Sequence, residues 1–183
     1  EGVGIWSDGL LSINQSAVNE NYTSGTTNNH HSLTNKGVGI HVGEHGTLQM
    51  TASEVKGNYA YKSNYGNVRG VGIYMIGNTN NYITDSTIKD NLAGGAYSTS
   101  VDEGYRHSAG AGIYIEGSKL TLEDTVIDGN HAMYGGGIYV KQDSADTEML
   151  TIIRGEIKNN RGQGTNHSTT GGGGGIFATY TYI

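Results

Sequence analysis

The stretch GGGIYV at residues 135–140 repeats a short glycine-led strand that the chain contains six times. The other copies are GVGIWS from Gly2, GVGIHV from Gly37, GVGIYM from Gly70, GAGIYI from Gly110 and GGGIFA from Gly173. Successive starts lie 35, 33, 40, 25 and 38 residues apart. A unit of this length cannot bury its apolar side alone, so it must stack on its neighbours.

A second anchor keeps the units in register. An apolar residue stands three positions before an Asn in five of them: Val18/Asn21, Val55/Asn58, Ile88/Asn91, Ile127/Asn130 and Ile157/Asn160. Five positions earlier stands another apolar residue, Ile13, Met50, Ile83, Leu122 or Ile152. The variation in spacing falls mostly between the Asn and the next Gly. The stretches there, such as YTSGTTNNHHSLTNK (22–36) and LAGGAYSTSVDEGYRHSA (92–109), are polar and read as loops. Unit 110–134 has only HAMY in that place and sets a minimal rung of 25 residues.

Runs such as GIYI and KLTLE alternate with a period of two, and no helical period shows. Short strands at this repeat length predict an all-β fold. It is a single-stranded parallel β-helix (β-solenoid) of about six rungs, one domain over 1–183, with long polar loops on one side. Parallel crossovers are right-handed in the great majority of cases, so a right-handed coil is expected. Ile5, Ile40, Ile73, Ile113, Ile138 and Ile176 then stack as a core ladder, with Val42, Met75, Ile115 and Val140 as a second. The leading Gly supplies a tight corner at backbone angles other residues avoid.

Three further columns follow from the same alignment. Asn21, Asn58, Asn91, Asn130 and Asn160 form a structural Asn ladder, because stacked amides bond one another and Asn tolerates left-handed backbone. Trp6, His41, Tyr74, Tyr114, Tyr139 and Phe177 follow the core Ile and point to the outer face. They read as an aromatic ladder, either a structural stack partly covered by the variable loops or a recognition platform for sugar rings or a protein partner. Asp85 and Asp124 form a weak acidic pair on adjacent rungs, roughly 5 Å apart. Carboxylates at about that separation suit a retaining glycosidase, but Arg154 is expected on the next rung, and a solvated corner pair is the simpler reading.

Composition narrows the function. Gly is 31 of 183 residues, Pro and Cys are absent, and the net charge is −6 with only 11 Lys and Arg. A nucleic-acid groove does not fit this balance. Lack of Cys excludes disulfide frameworks and thiolate sites, and no apolar run approaches the roughly 20 residues of a membrane span. His30/His31 and His41/His45 are poorly spaced as metal pincers, so neither a metal nor another cofactor is expected.

The sequence GGGIYV … TLEDTVIDGNHA resembles the repeats of bacterial surface-exposed right-handed β-helix proteins. It is similar to polymorphic outer-membrane-protein passengers, whose repeats pair GGAI with FxxN. Here the second half reads VNEN, VKGN, IKDN, IDGN and IKNN. The resemblance implies an extracellular or cell-surface, non-catalytic role, adhesive or structural, and transfers no catalytic residue. The alternative is a carbohydrate-active β-helix enzyme, a polysaccharide lyase or glycoside hydrolase. The sequence opens inside a rung and closes in a strand, with no cap pattern at either end. It is therefore expected to be a segment of a longer surface solenoid or a subunit stacking head-to-tail on itself, with glycan or a cell surface as the outside partner.

Overall fold

A computed structural model describes residues 4–23, 34–60, 67–77, 79–93, 108–142, 149–162 and 172–180. The chain is a parallel β-solenoid. Among the described residues every strand pair is parallel, and each strand lies on its counterpart from the next unit. The glycine-led strands Ile5–Ser7, Ile40–Val42, Ile73–Ile76, Ile113–Glu116, Ile138–Gln142 and Ile176–Tyr180 form a first, six-stranded sheet. A second sheet holds Leu10–Asn14, Thr47–Thr51, Asn80–Thr84, Lys119–Glu123 and Leu150–Ile153. The third holds Ala17–Asn19, Glu54–Lys56, Thr87–Lys89, Val126–Asp128 and Glu156–Lys158. Five like strands make four parallel steps, so the coil is about four turns long, which corrects the expected six rungs.

The expected register is present residue for residue. Ile5, Ile40, Ile73, Ile113, Ile138 and Ile176 pair in sequence, and the four between the ends are fully buried. Val42, Met75, Ile115 and Val140 form the second ladder beside them. With Met50, Ile83, Leu122 and the third-sheet residues Val55, Ile88 and Ile127, these fill one apolar core.

Three corners turn the coil, each by a residue at positive φ. The first Gly of the repeat does so at φ 58°, 55°, 58° and 51° in Gly37, Gly70, Gly110 and Gly135. Between the second and third sheets the corner falls on Gln15, Ala52, Asp85, Asp124 and Arg154, at 47–51°. The residue before each ladder Asn makes the third corner: Glu20, Gly57, Asp90, Gly129 and Asn159. Asp, Asn and Gly accept this conformation at least cost, which accounts for much of what occupies these columns.

The second Gly of the repeat has a different task. A Cβ on Gly39 would stand 2.6 Å from the Gly72 carbonyl oxygen and 3.0 Å from Asn58 Nδ2. The glycine strand and the Asn ladder are thus packed backbone against amide, and the two repeated motifs require each other.

Two sheets lie where the sequence reads as loop. Tyr22–Thr23, Tyr59–Ala60, Leu92–Ala93, His131–Ala132 and Arg161–Gly162 form a fourth sheet directly after the Asn ladder. Asn35–Lys36, Val68–Arg69 and Ser108–Ala109 form a fifth just before the glycine corner, and isolated bridges extend its column through Tyr134 to Gly172. Strands of two residues are too short to carry a period, which is why the pattern hides them. The intervening polar stretches expected as long loops (24–33, 61–66, 94–107 and 163–171, with 143–148 after the first sheet) lie outside the described residues.

Candidate functional site

The Asn ladder is the most completely bonded part of the coil. The backbone N–H and Nδ2 of Asn58 both donate to Oδ1 of Asn91, at 3.1 and 2.9 Å, while Nδ2 also donates to the Val18 carbonyl at 3.0 Å. Asn91 repeats this toward Asn130 and Val55, and Asn130 toward Asn160 and Ile88. Asn58, Asn91 and Asn130 are fully buried. Its chemistry is cohesion: every amide group inside the stack is used by the fold.

A second polar ladder accompanies it and was not anticipated. The hydroxyl of Ser53 accepts from the Ser16 N–H at 3.0 Å, and that of Ser86 accepts from the Ser53 N–H at 3.1 Å. Ser53, Ser86 and Thr125 are buried one residue after the left-handed corner. The signal lies in the sequence as Ser, Ser, Ser, Thr two positions before the apolar anchor. Asn81 likewise replaces the Leu of neighbouring rungs: it is buried, its Oδ1 accepts from the Leu48 N–H at 2.7 Å, and its Nδ2 donates to the Lys119 carbonyl at 3.0 Å.

Asp85 and Asp124 stand on adjacent rungs at the same left-handed corner, as the alignment places them. Arg154, on the following rung, holds Asp124 in a fork at 2.8 and 2.7 Å and also pairs with Glu123. The Arg154 bonds hold the Asp124 carboxyl below the usual carboxylate range, against a smaller opposing effect of burial. This is an exposed ion pair on a corner. No group of three or more His, Asp or Glu side chains stands together among the described residues.

The aromatic column is the candidate recognition face. Its six residues share one register on the outer face of the first sheet. The Tyr74–Tyr114, Tyr114–Tyr139 and Tyr139–Phe177 centroids lie 5.3, 4.9 and 5.4 Å apart, at 15°, 2° and 26° between planes. His41 tilts onto Tyr74 at 4.9 Å. The middle of this column is closed: Tyr74 is 0% and Tyr114 2% exposed, against 56% for Trp6 at one end.

The fifth sheet supplies the cover. Two side chains just before a glycine corner, Lys36 and Arg69, lean over the ring of the next rung. Lys36 Nζ stands 5.0 Å from the Tyr74 centroid, and the Arg69 guanidinium stands 5.4 Å from that of Tyr114. Beneath them Glu116 gathers the charges: it accepts from the Tyr74 hydroxyl at 2.9 Å, from Arg69 at 3.3 Å and from Lys141 at 2.6 Å. Burial opposes the charge of Glu116, but the bonds from Lys141 and Tyr74 and the charges of Lys141 and Arg69 outweigh it, so its carboxyl stays below its ordinary value. Burial, with Glu116 beside it, pushes the Tyr74 phenol well above the normal tyrosine range. Toward the other end the cover lapses, and a cavity of about 230 Å³ opens between Arg69, Ala109, Tyr114, Tyr134, Tyr139 and Phe177.

The fold and this column define a class, a parallel β-solenoid whose sheet is clad on its outside by stacked rings. Compared with known proteins, the chain matches no protein family, no curated protein and no solved structure. No helix among the described residues is long and apolar enough to cross a membrane.

Proposed function

We propose that this chain is a non-catalytic structural and adhesive β-solenoid acting at the cell surface or outside the cell. It serves as a segment of a large surface adhesin or as a subunit stacking head-to-tail. The observation that carries this reading is the Asn ladder, which among the described residues runs with one donor-to-acceptor direction from Asn21 to Asn160. Inside the stack each Oδ1 takes two donors from one neighbour and each amide gives two. At the first rung Asn21 donates to Asn58, so its Oδ1 is the position a preceding rung would fill. At the last described rung Asn160 accepts from Asn130 and donates to Ile127, so its N–H and second Nδ2 hydrogen are offered to a following rung.

The two end faces are therefore complementary, donor to acceptor, whether the added rung comes from the same polypeptide or from a second copy. The last described rung is apolar as well: Ile176 is 41% exposed, whereas Ile40, Ile73, Ile113 and Ile138 within the stack are at 0%. Open strand edges backed by exposed apolar core favour continued stacking.

Sedimentation velocity over a concentration series tests the stacking form. Species growing in steps of 19.3 kDa are expected, and Asn160→Asp, which replaces the offered donor with a charge, is expected to suppress them. A single 19.3 kDa species at every concentration removes that form. Antibody labelling of intact source cells tests the surface placement common to both forms; labelling only after lysis overturns it.

A further inference from the structure

The cover over the aromatic column obeys a rule that fails once. The residue before the glycine corner covers the ring one rung ahead: Lys36 over Tyr74 and Arg69 over Tyr114. Further along, Tyr134 leans on Phe177 at 5.6 Å and 49°. The rung between Arg69 and Tyr134 carries Ala109, in register with both. Its side chain stops at Cβ, and the ring it would cover is Tyr139. The 230 Å³ cavity opens at that point and is lined by both neighbouring covers. It is a seat left vacant by the repeat, with Arg69 on one side, Tyr134 on the other and ring surface at its base.

We infer that this seat binds one carboxylate-bearing sugar ring, a hexuronate unit of an acidic glycan. The inference deepens the adhesive half of the proposed function and rests on it. Four of the six lining side chains are aromatic, and Ala109 leaves room for a ring where neighbouring rungs place a side chain. The apolar face of a pyranose stacks on such surfaces. The charge of the seat selects the substituent. Among the described residues Arg69 is the only ionised group lining it, and the cluster around it sets two cations, Arg69 and Lys141, against the carboxylate of Glu116. Glu116 takes Nη1 of Arg69 at 3.3 Å, and a planar guanidinium has further N–H groups with which to meet a second carboxylate. Among the described residues this excess of positive charge is local, on a chain of net charge −6.

Titration of the intact chain with glucuronate, followed by the NMR signals of the tyrosine rings, tests the inference. For a ligand of this size binding in about the millimolar range is expected, with glucose weaker by about tenfold for want of the charged contact. Ala109→Lys fills the seat as Lys36 and Arg69 fill theirs, and Ala109→Leu fills it without charge; both are expected to abolish binding while leaving the thermal midpoint and sedimentation unchanged. Arg69→Gln is expected to bring glucuronate down to the level of glucose. Equal binding of glucuronate and glucose, binding that survives both Ala109 variants, or benzoate outcompeting glucuronate overturns it, as does the absence of any ring-signal shift at high glucuronate. Because the Ala109 variants leave the end faces intact, loss of sugar binding with normal stacking is distinguishable from failure of the solenoid reading itself.

Discussion

The first sheet is covered on both faces, fully on the inner one and only in part on the outer one. On its inner face the same residue, Ile, is repeated at 40, 73, 113 and 138, and all four are fully buried. On its outer face the rings are similar but the cover is not: Lys36, Arg69, Ala109 and Tyr134 occupy one column with four chemistries. The inner face is a packing problem that every rung solves in the same way, because each Ile stacks on its counterpart above and below and faces the like apolar residues of the other sheets in one shared core. The outer face is closed by a neighbouring element, rung by rung, and can be left open at one rung without unravelling the others. Cohesion sits on the uniform side and individuality on the variable side.

The sharpest way to break this contrast is on the uniform side. Ile113→Ala is expected to destabilise by about 2–5 kcal/mol, since a fully buried aliphatic side chain leaves a cavity between two rungs. The denaturant midpoint measures it; a loss comparable to that of an exposed substitution would show that rungs do not rely on each other. Next comes Asn91→Ala, expected to cost about 2–3 kcal/mol, because buried partners on both neighbouring rungs lose their bonds. The same change at Asn160 is expected to cost less, and equal losses at the two sites would mean the ladder does not act as a stack.

On the variable side smaller effects are expected. Tyr74→Phe keeps the stack and removes the bond to Glu116, for a loss of about 1–2 kcal/mol by thermal unfolding. Glu116→Gln separates charge from shape. Folding lowers the Glu116 carboxyl below its ordinary 4.5, so its contribution is complete above that pH and is lost as pH falls through the lowered folded value. The wild-type thermal midpoint is expected to fall on acidification below pH 4.5, and the variant to fall less; parallel curves would remove the charge cluster from the account of the outer face. Smallest of all is Asp124→Asn. Its ion pair with Arg154 is exposed, and no measurable shift in the unfolding midpoint is expected at moderate salt.

Much of this molecule could be read in advance. Period-two runs, the recurring GxGI and the Asn three residues after an apolar anchor placed the core ladder, the second ladder and the Asn column in the register observed. The ring column could also be read as a column. Partial cover by the variable stretches could be read too, but not which residues supply it, because two-residue strands such as Val68–Arg69 carry no pattern and Lys36 and Arg69 give no sign in the sequence of lying over a ring. The acidic corner shows the same limit. Asp85 and Asp124 align correctly, yet only the positive φ at both shows that the backbone itself favours residues of this kind there.

The sequence by itself therefore determined the coil and its ladders, because a stack of like rungs turns each periodic position into a column in space. Only the tertiary structure decided which columns are open. Exposure on the outer face depends on what an adjacent, aperiodic segment lays across it, and one short side chain, Ala109, separates a closed rung from a vacant seat.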